Sequence, residues 1–146
     1  MKHLLPFAFL LPLAACGDDT VAANAAVPEL DVMAETPGDW SDLRGMIGRA
    51  PAESGLFERS AITVDLNALL GEDARAFRSA MGNASPLRRD GPVLVTLSPT
   101  RQAYLLLLPS DHALEAGLRK PGGWRVVRTP GAEVPRPPAV AALLGS

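Results

Sequence analysis

The chain has 146 residues, 47% of them hydrophobic and 5% aromatic, with a formal net charge of −2. That is enough for one domain with one core and not for two, and a near-neutral balance with no basic block and few rings to stack on bases carries no nucleic-acid footprint. The one cysteine, Cys16, excludes a disulfide within a molecule.

The first segment opens with Lys2 and continues as an uncharged apolar run, Leu4 to Ala15, too short to span a bilayer as a finished helix. It ends Leu13-Ala14-Ala15-Cys16, with Gly17 next. The small residues at 14 and 15 leave room for a peptidase at the backbone, and the cysteine supplies a thiol. This segment resembles the lipobox of bacterial lipoproteins. The resemblance implies that residues 1–15 are a signal peptide, cut away before Cys16. It also implies a diacylglyceryl group on the Cys16 sulfur, an acylated new amino terminus, and a membrane partner reached through that lipid. Each buried acyl CH₂ contributes about 0.8 kcal/mol, so one chain anchors marginally and two or three anchor firmly. No other segment is long and apolar enough to span, so the expected protein is anchored rather than spanning. Gly17, where enterobacterial-type retention at the inner membrane favours Asp, points to the periplasmic face of the outer membrane.

Residues 16–39 read as a flexible acidic tether. Between Gly17 and Leu43 there are seven acids and no Lys or Arg, whereas Arg44 to Ser146 carries thirteen basic and nine acidic residues. A mildly basic domain of residues 40–146 therefore hangs from an acidic stalk. One reading of that domain is an ordinary arginine-rich surface. The other is a preference for an anionic partner, an envelope protein or polymer.

Within the domain, Ser41-Asp42 starts a helix with Leu43, Met46 and Ile47 on one side and Gly48 as its stop. Arg49 to Phe57, with Pro51 and Gly55, reads as a loop. Ser60 caps a second helix, Ala61 to Leu70, although the β-branched run Ile62-Thr63-Val64 competes as a strand. Glu72-Asp73 opens a third helix, to Met81, which buries Ala74, Phe77 and Met81 and turns Arg75 and Arg78 outward.

After Pro86 the period becomes strand-like. Arg88-Arg89-Asp90-Gly91 reads as a charged turn. Pro92 to Leu97 alternates Val93, Val95 and Leu97 against Leu94 and Thr96. Ala103 to Leu108 is apolar on both faces, as a central strand is. Pro109 to His112 is a turn. Ala113 to Arg119 points Leu114, Ala116 and Leu118 inward and Glu115 and Arg119 outward. Lys120 to Gly123 is a second turn, and Trp124 to Thr129 is a strand with Trp124 in the core. Short turns require antiparallel pairing. The fold class is α+β: short helices on a meander of three to four strands. Thr129 to Pro138, with four prolines, forms an irregular arm, and Ala139 to Leu144 one terminal helical turn.

The chain lacks the motifs that carry common chemistries. It has no Gly-x-Ser-x-Gly elbow, no Ser-x-x-Lys pair, and no phosphate- or dinucleotide-cradling glycine loop. After the signal only His112 remains, so no zinc-type cluster and no cofactor is implied. Glu53, Glu58, Asp65, Glu72, Asp73, Asp111 and Glu115 are the acids on offer to a glycosidase-like carboxylate pair, and most fit helix starts, turns or an exposed strand face. The partner-binding candidates are Arg88 and Arg89, Arg75 and Arg78, and Trp40 at the tether junction. A non-enzymatic binding domain leads. A carboxylate-dependent hydrolase of envelope material and an accessory subunit of an outer-membrane assembly or transport complex are the alternatives.

Ile47-Gly48-Arg49-Ala50-Pro51, Phe77 to Met81, Ser85-Pro86-Leu87 to Gly91, and Ala103-Tyr104 to Leu118 resemble a group of small proteobacterial envelope proteins. More distantly the layout is similar to the inhibitor of vertebrate lysozyme, a periplasmic α+β family. That family inserts a Cys-Lys-Pro-His-Asp-Cys loop into the lysozyme cleft. The corresponding connection here, Ser98-Pro99-Thr100-Arg101-Gln102, has neither histidine nor cysteines. The resemblance therefore implies fold and compartment, and no site residue.

Overall fold

The computed structural model describes residues 39–146. The signal segment 1–15, Cys16 and the acidic tether up to residue 38 lie outside the described residues.

The domain begins with a 3₁₀ segment, Trp40–Met46. It starts one residue before Ser41 because the Asp39 carboxylate caps it, accepting from the Ser41 N–H at 3.0 Å and the Ser41 hydroxyl at 2.8 Å. Leu43 is fully buried, and Met46 and Ile47 lie against the core. The expected loop Arg49–Phe57 contains one helical turn, α1 (Pro51–Ser54). Proline at its first position and Gly55 at φ 72 at its end are a start and a stop that the sequence already carried.

Helix α2 (Thr63–Leu70) begins two residues later than expected. Ser60 is not its cap, because Ile62 takes that position without a side-chain bond; the Ser60 hydroxyl instead donates to the Leu56 carbonyl at 2.6 Å and accepts from the Ile62 N–H at 3.4 Å, within the preceding turn. Ile62, Leu66 and Leu70 are buried. A short 3₁₀ turn, Gly71–Asp73, leads into α3 (Ala74–Ala80), whose Phe77, with the following Met81, fills the core as the spacing predicts.

Five strands follow: β1 (Arg88–Asp90), β2 (Val93–Leu97), β3 (Ala103–Leu108), β4 (Ala113–Lys120) and β5 (Gly123–Arg128). They form one antiparallel meander in the order β1-β2-β3-β4-β5. The α+β class holds, with one strand more than expected. The extra strand is Arg88–Asp90, read from sequence as a turn. Its hairpin turns at Gly91, at φ 61, and Asp90 pairs with Val93. Three charged residues carry no period-2 apolar signal, so pairing with β2 alone makes them a strand.

After β5 an extended arm leads to helix α4 (Pro138–Leu144), the foreseen terminal helix grown to nearly two turns. The sheet is covered on both faces. Leu94, Leu105, Leu107 and Leu114 face the helices, where Phe57 and Phe77 meet edge to face at 5.9 Å. Val93, Val95, Tyr104 and Leu106 face the arm and α4, through Val134 and Val140. Central strand β3 is buried on both sides along its whole length, as its unbroken apolar run predicts. The described residues, 39–146, belong to one compact unit.

Two further expectations fail here. Glu115, placed outward by alternation, is fully buried. The alternation itself is correct; what sequence could not show is that the second face is also covered. Trp124, placed in the core, is half-buried at an edge strand, with its indole N–H donating to the Leu143 carbonyl at 3.1 Å.

Candidate functional site

Alternating strand direction brings three connections to one end of the sheet: Ser85–Leu87 before β1, Ser98–Gln102 between β2 and β3, and the β4–β5 turn. The loop Ser98–Gln102 is tightly organised. The buried Ser98 hydroxyl accepts from the N–H groups of Gln102 at 2.9 Å and Ala103 at 3.0 Å, while its carbonyl accepts from Arg101 N–H at 3.0 Å. These bonds hold Arg101 at φ 56, a left-handed conformation that costs a side-chain-bearing residue about 1–3 kcal/mol. Arg101 is exposed, and among the described residues its guanidinium has no ion-pair or hydrogen-bond partner.

Arg101 separates two open grooves. One, of about 480 Å³, runs past Ser85, Pro86, Arg88, Leu97 and Pro99. The other, of about 470 Å³, runs over Gln102, Arg119, Trp124 and the Ala139–Leu143 side of α4. In the second, the Arg119 guanidinium lies 5.7 Å from the Trp124 ring centre, a cation–π distance, and donates to the Ser146 carbonyl at 3.1 Å. Arg88 makes only a long exposed ion pair with Asp90, at 3.6 Å. Such a pair holds an arginine weakly. The rim thus presents Arg88, Arg101 and Arg119 along apolar and proline-lined grooves. Trp40, where the chain enters the domain, stacks edge to face on His112 at 5.5 Å, at the other end of the sheet.

The candidates chosen from sequence are dispersed. Arg88 joins the rim. Arg89, its neighbour on the same strand, points to the opposite face, since strand residues alternate and its partner Leu94 faces the helices. Arg75 is exposed alone on α3. Arg78 is not its outward companion: it is half-buried and bonded to the Asn67 side chain of α2. Trp40 is 2% exposed and belongs to the helix-side core, so it offers no partner surface. Sequence reasoning missed Arg101 and Arg119, which have no local motif. The one available hint was their placement beside strand ends, where loops meet.

Two carboxylates are buried, and each is matched by two cations. Glu115 accepts from the Tyr104 hydroxyl at 2.7 Å, from Arg136 at 2.7 and 3.1 Å, and from Arg128 at 2.7 Å. Burial pushes this carboxyl up, but the Arg136, Tyr104 and Arg128 bonds outweigh it and hold it below the usual range. Burial and the Glu115 bond push the Tyr104 hydroxyl well above its ordinary value. Asp73 is bonded to Lys120 and meets Arg125 at 2.7 Å. The Lys120 bond lowers its carboxyl despite burial. Neither acid lines either of these two grooves, and the cations bonded to each favour its ionised form, so both act as clamps between segments. Glu53, Glu58, Asp65, Glu72 and Asp111 are exposed.

No protein family, curated protein or solved structure matches this chain. The geometry of the rim is therefore the basis for reading its function. No helix among the described residues is long and apolar enough to cross a membrane.

Proposed function

We propose that this chain is a lipid-anchored bacterial envelope protein, held through Cys16 at the periplasmic face of the outer membrane, whose domain binds an anionic partner without catalysing a reaction. The anchor rests on Leu13-Ala14-Ala15-Cys16. The binding role rests on Arg101, held in a strained backbone state between two grooves with Arg88 and Arg119 beside it. A loop that keeps an unpaired guanidinium in such a position spends stability that a merely solvated turn would not need.

Mass spectrometry of the full chain from cell envelopes tests the anchor. The expected species lacks residues 1–15 and carries acyl mass on Cys16, and Cys16→Ser abolishes both changes. Polyglutamate titrated against the full chain in neutral vesicles tests the rim. Binding that weakens with salt, and that Arg101→Glu removes while stability stays within about 0.5 kcal/mol, supports the reading. Equal binding by the variant overturns it. So does turnover of peptidoglycan or an ester substrate that disappears on a single Asp or Glu change.

A further inference from the structure

The two edges of the sheet are finished differently. Strand β1 is three residues long and wholly charged, and Leu87 before it exchanges backbone bonds with Gly48 and Arg49, at 2.7 and 2.9 Å. Short, charged edges of this kind discourage pairing. Strand β5 is six residues long, with Val126 and Val127 at its middle. The rungs of its ladder can be assigned. Arg119 N–H bonds the Gln102 carbonyl at 2.7 Å, towards β3, and Thr129 N–H bonds the Leu114 carbonyl at 3.0 Å, towards β4. Antiparallel rungs alternate, so Arg125 and Val127 bond inward while Trp124, Val126 and Arg128 turn N–H and C=O groups to the outer edge. Among the described residues no backbone group outside β4 bonds to Gly123–Arg128.

Charge flanks this open edge on both faces. On the helix side Arg125 and Lys120 share the single carboxylate of Asp73. On the arm side Arg128 and Arg136 share that of Glu115. Each cluster keeps one positive charge in excess. All four cations retain 36–48% of their side-chain surface to solvent, while the two acids retain 6% or less. The unmet charge therefore faces outward beside the unmet hydrogen bonds.

We propose that the outer edge of β5 is a docking site for an extended acidic peptide segment of a partner protein, which adds a sixth strand to the sheet. The ladder to Trp124, Val126 and Arg128 supplies alignment. Acidic side chains on either face of the added strand meet Arg125 and Arg128 across the pair. Trp124 also borders one groove of the rim, but the edge uses none of the three rim arginines.

The test uses the full chain in detergent and a labelled synthetic peptide alternating glutamate and valine. Binding by fluorescence anisotropy, with slowed amide exchange at Val126 and Arg128, is the expected result. The same peptide N-methylated at alternate amides keeps its charge and loses one side of the ladder, so its affinity falls by about tenfold or more. Val126→Pro, which removes an outward N–H that no ladder bond uses, gives a comparable loss, and both losses are read in the Arg101→Glu chain so that peptide held by the rim is not counted. Undiminished binding of the N-methylated peptide overturns the proposal. Equal binding of a lysine–valine peptide overturns its acidic character. Protection at Val126 that rises with protein concentration and needs no peptide assigns the edge to a second copy instead.

Discussion

Leu94, Leu105, Leu107 and Leu114 look from the sheet onto helices, while Val95, Tyr104, Leu106 and Glu115, one position along on the same strands, look onto the carboxy-terminal arm. The helix face is closed by apolar side chains whose spacing is written into each helix. The arm face is smaller and closes around an ionised acid. Tyr104, Arg128 and Arg136 converge on Glu115, and Arg136 belongs to the arm itself, so the clamp fastens a segment that has little regular structure of its own. Apolar packing tolerates small shifts; a buried charge tolerates no lost partner. The two faces are thus expected to fail differently, and the two tryptophans report on them separately. Trp40 sits in the helix-side core, and Trp124 is bonded to α4 at Leu143.

The largest effect is expected from Phe77→Ala, which empties the centre of the helix face and costs about 3–5 kcal/mol. Urea unfolding followed by Trp40 fluorescence, in a Trp124→Phe background, measures it. Glu115→Gln strands two guanidinium groups that are more than a third exposed. Solvent screening reduces the loss from that of a fully buried pair to about 2–4 kcal/mol. Here the Trp124 signal, in a Trp40→Phe background, should change at lower urea than the Trp40 signal, as the arm releases before the helix core. Coincident transitions for both variants would erase the distinction between the faces.

Gly117→Ala is a finer probe. A Cβ there would stand 2.1 Å from Cε1 of Tyr104, its cross-strand partner, so the ring that serves Glu115 has to move. A loss of about 1–3 kcal/mol is expected. Tyr104→Leu in the same chain should add less than its separate cost, because the clash disappears with the ring. Full additivity would show that the ring and the glycine do not interact.

Acid is the mildest perturbation. The folded-state carboxyls of Glu115 and Asp73 titrate below their ordinary values of 4.5 and 3.8. A depressed carboxyl contributes stability that is full above its unfolded pKa and is lost as pH falls through the folded one. Stability should therefore be flat with respect to these two groups above about pH 4.5 and decline below it. In Glu115→Gln that decline should be shallower, since one of the two protons no longer has a site. An unchanged slope would remove Glu115 from the acid response.

Much of this architecture could be read one residue at a time. Apolar residues three and four apart mark α2 and α3, and the unbroken run Ala103–Leu108 marks a strand covered on both sides; Pro51 and Gly55 bound α1, although that stretch reads as a loop. These are local, because a residue's place on a helix or strand follows from its neighbours' spacing. Helical or strand character at Arg88–Asp90 is not local; those residues extend because β2 offers them a ladder. The inward place of Glu115 is not local either. Alternation puts it opposite Leu114 and Ala116, and whether that side meets water depends on an arm that returns across the sheet some twenty residues later. The same holds for Arg88, Arg101 and Arg119, which are far apart in the chain and become one rim only where three strand ends converge. Spacing settles which residues share a face. Covering that face, or assembling a site along its edge, needs contacts between distant segments, and no local pattern encodes those.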